Sequence, residues 1–140
     1  MPESSGADLN NIYKGLVDAF SDTLAWEWDD RFGGVLAAFK VSEKDRVQSI
    51  INKQLSQMWE SSSIDDAPEN IGNAIQNFGG LNPSQLLFTT SQTQEVMLLG
   101  LWWPWGNGET ISIRFVPYGV NSSDAEKESM QAKLKACFGL

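Results

Sequence analysis

The sequence predicts an α+β domain: an antiparallel sheet of about five strands, flanked by helices on one or both faces. Three features carry that prediction. Asn107-Gly108 lies between two strand-like runs, 96–105 and 110–116. Apolar and polar residues alternate through 24–29 and again through 35–41. Apolar residues recur at three- and four-residue spacing in 9–20, 47–59 and 130–138. The first two are strand signals and the third is the helix signal.

The hairpin organises the rest. Asn-Gly favours a two-residue type I′ turn, because both central residues then need positive φ. That turn sets Trp105 opposite Thr110, Trp103 opposite Ser112, Leu101 opposite Arg114 and Leu99 opposite Val116. The other face carries Leu98 and Trp102 with Ile111, Ile113 and Phe115, and should be core. The first face holds Leu99, Leu101, Trp103 and Trp105, positions that a half-wet antiparallel sheet would make polar. They require cover from a helix of the same chain, a second subunit or a ligand. A one-residue slip in the turn would exchange the faces.

The elements follow in order. Residues 1–7 are small and polar and are expected to be a disordered end. Asp8 is a candidate cap for a helix whose apolar face is Leu9, Ile12, Tyr13, Leu16, Val17 and Phe20. Gly15 inside it suggests a close helix–sheet approach. Leu24, Trp26 and Trp28 then alternate with Ala25, Glu27 and Asp29. Residues 30–34 read as a turn, and Val35, Ala37, Phe39 and Val41 as a second strand. Ser42 opens a helix in a weak variant of the capping box with Asp45, and its stripe runs through Val47, Ile50, Ile51, Leu55, Met58 and Trp59. Residues 61–68 are a linker. Residues 69–78 form a short helix with Ile71, Ile75 and Phe78 inward, ended by Gly79-Gly80. A turn at Asn82-Pro83 precedes a strand over 85–90, and the hairpin follows. Ser123 and Glu126 form a capping box for a last helix with Met130, Leu134, Cys137 and Phe138 on its stripe.

The order is helix, two strands, helix, an irregular or helical insert, three strands, helix, in one domain over 1–140. It resembles the profilin-like and roadblock-like α/β/α sandwiches, and more loosely the small acidic chaperones of type III secretion, which group their strands differently. The resemblance is one of element order and size, and it implies a layered sheet-and-helix fold.

Composition narrows the function. The chain has 10 Lys and Arg against 18 Asp and Glu, for a formal charge of −8. That argues against a nucleic-acid or anionic-membrane binder; it allows a basic partner or nucleic-acid mimicry, and simple solvation of an acidic protein explains it first. The absence of histidine excludes His-based triads, His acid–base catalysis, His-ligated metals and a proximal-His haem. The single cysteine permits no internal disulfide, and the opening MPESSGADLN has neither the basic nor the apolar part of a signal peptide. A cytoplasmic location is expected, with no cofactor implied. No phosphate-binding glycine motif is present.

Two acidic pairs, Asp29-Asp30 and Asp65-Asp66, fall in a turn and a linker, where aspartate serves the backbone. Cys137 lies on an apolar stripe. Arg114, beside Leu101, is placed to bind a carboxylate or stack on Trp103. The six tryptophans are the compositional excess, and tryptophan is enriched at binding hot spots. The expected function is a non-catalytic interaction module: an adaptor, chaperone or inhibitor that binds a protein, or a second copy of itself. Leu101, Trp103, Trp105 and Arg114 are its candidate surface. The alternative is a small-ligand sensor with an aromatic pocket lined by Trp26, Trp28 and Trp102. An enzyme relying on Glu27, Asp29 or Asp30 is the least supported.

Overall fold

A computed structural model describes residues 5–20, 24–90, 96–119 and 123–140. Its elements are α1 (Ser5–Phe20), β1 (Glu27–Asp29), β2 (Gly34–Lys40), α2 (Lys44–Gln54), β3 (Gln57–Glu60), α3 (Glu69–Gln76), β4 (Leu86–Thr89), β5 (Val96–Pro104), β6 (Thr110–Gly119) and α4 (Asp124–Cys137). Among the described residues the sheet has six strands in the order β1-β2-β6-β5-β4-β3, and every neighbouring pair is antiparallel. The α+β class and the antiparallel sheet are as expected from sequence; the strand count is one higher.

The extra strand is β3. The sequence placed Met58 and Trp59 on the stripe of the preceding helix. Instead α2 stops at Gln54, and Leu55 turns extended (φ −110°, ψ 103°) while its N–H still reaches the Ile51 carbonyl. From there burial alternates: Leu55, Gln57 and Trp59 point inward, while Ser56, Met58 and Glu60 point out. Met58 is the misleading residue, an apolar side chain on the solvent side. The start of α2 also differs. A 3-10 turn, Val41–Glu43, precedes it, and neither helix has a side-chain cap, so Ser42 does not act as one.

Other boundaries shift for local reasons. Helix α1 begins at Ser5, ahead of Asp8. Of the expected disordered end, residues 5–7 are therefore helical, and residues 1–4 lie outside the described residues. Gly15 faces the Gln54 side chain of α2 rather than the sheet. Only Glu27–Asp29 joins the ladder from the first strand signal, although burial alternates from Leu24 onward. The expected linker 61–68 carries a 3-10 turn, Ile64–Asp66, and packs Ile64 and Ala67 on the core. The change of period at Thr23 and the SQTQ approach to the hairpin fall outside the described residues.

Both faces of the sheet are covered. One core joins Tyr13, Leu16 and Phe20 of α1, Val47, Ile51 and Leu55 at α2, and Leu134 of α4 to Phe39, Leu98, Trp102, Ile113 and Phe115 of the sheet. Each such side chain, fully buried, contributes ~1.5–3 kcal/mol against water. The second core sets Ile71, Ala74 and Ile75 of α3 on Leu87, Met97, Leu99, Leu101 and Val116. Gly79 and Gly80 end the α3 segment at positive φ, as the sequence suggested. The capping box of α4 is present: the Ser123 hydroxyl accepts from the Glu126 N–H, and Glu126 accepts from the Ser123 N–H. Hydrogen bonds donated to it by the Ser123 backbone N–H and side chain hold the exposed Glu126 carboxyl below its ordinary range.

Helix α3 contains Gly72, and a methyl group placed there would meet nothing within 4 Å. Gly72→Ala should therefore raise stability by about 0.5–1 kcal/mol through helix propensity and a more restricted unfolded chain. Chemical denaturation would check it; an unchanged or lower midpoint would mean that the glycine serves another purpose.

Candidate functional site

The β5–β6 hairpin has the register read from sequence, with Leu99 opposite Val116, Leu101 opposite Arg114 and Trp103 opposite Ser112. The Trp105 N–H bonds the Thr110 carbonyl at 2.8 Å and closes the ladder. The tip itself differs from a type I′ turn. It spans Gly106 to Glu109, and of these residues only Gly108 has positive φ (72°). Asn107 instead accepts from the backbone N–H groups of Glu109 (2.8 Å) and Thr110 (3.1 Å) through its side chain. The side-chain bonds take over what a positive φ at Asn107 would have supplied. Pairing is unchanged because both loops place the same residues across from each other.

Cover for the first face comes mainly from the same chain. Leu101 is fully buried in the core beneath α3, so it leaves the candidate surface. Trp103 is partly buried. Trp105, two residues on and past the last ladder pair, is 50% exposed. The outward residue is therefore the tip tryptophan alone.

Arg114 does both things its position allowed. Its Nε donates to Asp29 Oδ2 at 2.8 Å, and its guanidinium carbon lies 4.6 Å from the centre of the Trp103 ring. Phe32, from the β1–β2 turn, lies 5.2 Å from the same carbon and meets Trp103 edge-on at 5.4 Å. A further bond runs from Arg114 Nη1 to the Ser112 hydroxyl, which donates to the Trp103 carbonyl. Asp29 Oδ1 accepts the Arg31 N–H, so both carboxylate oxygens are engaged. The side chains of Arg114 and Asp29 are only 17% and 12% exposed. This cluster ties the first hairpin to the hairpin that carries Trp105. Sequence reasoning missed Phe32, which it read as part of a turn. An aromatic residue in an otherwise polar turn was the available signal.

Comparisons of the chain with protein-family models, curated proteins and solved structures give no match. The likeness in element order therefore carries no residue role onto this chain, and function is argued from its own geometry. Among the described residues, no helix is long and apolar enough to cross a membrane, and no group of three acidic or cysteine side chains is placed to hold a metal.

The expected pocket of Trp26, Trp28 and Trp102 does not form as one site. Trp102 is 4% exposed and packs on Phe39 and Phe88. Trp28 lies under the Lys135 ammonium at 5.3 Å. Trp26 is ringed by Phe20, Phe115 and Phe138, with centroids 5.1–5.7 Å away. Three buried donors have no hydrogen-bond partner among the described atoms: Trp26 Nε1, Trp103 Nε1 and the Tyr13 hydroxyl. Burial also pushes the Tyr13 phenol well above its ordinary range. Leaving such a donor unpaired costs about 1–3 kcal/mol.

Proposed function

We propose that the chain is a non-catalytic interaction module of the cytoplasm, which engages a basic protein partner through the tip of the β5–β6 hairpin. The supporting observation is the half-exposed indole of Trp105, held on a hairpin anchored by the Arg114–Asp29–Trp103 cluster. Tryptophan presented from a rigid element loses little freedom on binding, which suits an interface anchor. The charge of −8 favours a basic partner and disfavours a second copy at long range.

Placing a photo-crosslinking residue at Trp105, and separately at the exposed Lys133 of α4, tests this in native cytosol. A discrete adduct from position 105, absent at 133 and weakened by salt, is expected. Equal labelling from both positions, or none from 105, would remove the proposal. An adduct of twice the chain mass would replace the basic partner with a homodimer. Trp105→Ala should change stability by less than about 1 kcal/mol, so lost binding would report contact rather than unfolding.

A further inference from the structure

The tip that carries Trp105 also holds a reactive pair. Asn107 and Gly108 are both exposed, in the turn between β5 and β6. Attack of the Gly108 nitrogen on the Asn107 side-chain amide carbon closes a cyclic imide, a succinimide. Glycine leaves that approach open, since it brings no Cβ beside the attacking nitrogen. Asn107 Oδ1, the oxygen on which negative charge develops, already accepts the N–H groups of Glu109 at 2.8 Å and Thr110 at 3.1 Å. Paired backbone donors on a developing oxyanion are the arrangement that stabilises tetrahedral intermediates of acyl transfer. The departing Nδ2 has only a long contact with the Thr110 hydroxyl, at 3.4 Å. The attacking nitrogen is also lightly engaged, its N–H reaching the Trp105 carbonyl at 3.3 Å. A methyl group at Gly108 would meet nothing within 4 Å, so solvent has access to it.

We infer that Asn107 is a self-modification site, at which the native chain converts its own asparagine through a succinimide formed with Gly108. Solvent base takes the proton of the Gly108 nitrogen, and the bond from that nitrogen to Asn107 Cγ forms. The bond from Cγ to Nδ2 breaks, water supplies the proton, and ammonia leaves. A second water opens the imide at either carbonyl and gives aspartate or isoaspartate at position 107. The net change is an amide hydrolysed to a carboxylate and ammonia, with no oxidation or reduction. Both products place a new negative charge two residues from Trp105. They differ in the turn. Aspartate keeps a side-chain acceptor for the Glu109 and Thr110 N–H groups. Isoaspartate draws Cγ into the main chain, lengthens the turn by one backbone atom and breaks that arrangement. This chemistry goes beyond the docking role and needs no partner; either can fail without the other.

The test incubates the full chain at mildly alkaline pH, in buffer and in denaturing urea. Peptide mass spectrometry with electron-transfer fragmentation then separates aspartate from isoaspartate. Conversion at position 107 should be at least as fast in the native chain as in the unfolded one, and should rise in proportion to hydroxide. Each converted chain should shift by one negative charge on isoelectric focusing. Gly108→Ala should slow conversion severalfold. In the isoaspartate fraction, hydrogen exchange should show lost protection at the Glu109 and Thr110 amides. Faster conversion in urea than in buffer would mean that the fold shields the amide, and would overturn the inference. So would an Asn107 that stays intact in the native chain, or a Gly108→Ala chain that reacts at the parental rate.

Discussion

Replacing Arg114 with Met is expected to destabilise the chain by about 2–3 kcal/mol, most of it through the group left behind. Asp29 is 12% exposed, and its Oδ2 would lose the donor held at 2.8 Å. Removing one member of a mostly buried pair costs ~3–5 kcal/mol when enclosure is complete. The figure here is lower because both side chains keep some contact with water. Asp29→Asn is the matching change: an amide oxygen still accepts the Arg31 N–H and preserves the turn, while the charge is removed. It should cost about 1–2 kcal/mol. The double variant should cost at least about 1 kcal/mol less than the sum of the two, since neither lone charge then remains. Denaturant unfolding of all four proteins gives this cycle. Additivity within ~0.5 kcal/mol would mean that the pair is decoration on a hairpin held by packing.

Gly34→Ala should be at least as damaging. Gly34 starts β2, opposite Asp29, and lies against β6 on its other side. An added Cβ would sit 2.3 Å from the Phe115 carbonyl oxygen and 2.7 Å from Val116 Cγ2. The first of these is backbone in a ladder and cannot rotate away, so β2 and β6 must separate locally. Overpacking of this kind costs about 3 kcal/mol, a fall of roughly 10 °C in melting temperature for a chain of this size. The same displacement would draw Asp29 and Phe32 away from Arg114. Thermal unfolding and the near-ultraviolet signal of the aromatic cluster should therefore both change. A melting temperature within ~2 °C of the parent would show that the strands tolerate the separation.

These two sites mark the limit of what could be read from sequence. The hairpin register was legible because Asn-Gly and the opposed alternation of its flanking runs agree. The core faces followed from it, and Leu98, Trp102, Ile113 and Phe115 lie where that register puts them. The capping box at Ser123 was legible because it depends on residues three apart. By contrast, β3 was hidden by Met58, whose apolar side chain on the wet side imitates another helical turn. The cover over Leu99 and Leu101 could be demanded from sequence but not assigned, since α3 meets them through long-range packing. The Arg114–Asp29 bond joins residues 85 apart in the chain, a separation that no local pattern encodes.

The hairpin divides its indoles: Trp102 lies within, Trp103 is clamped by Arg114, and Trp105 turns outward. Hydroxyl-radical footprinting of the lone chain, read by peptide mass spectrometry, measures that division directly. Trp105 should oxidise fastest, Trp103 more slowly and Trp102 slowest. Protection of Trp105 to the level of Trp102 in the monomer would contradict that division and leave the hairpin without a docking residue.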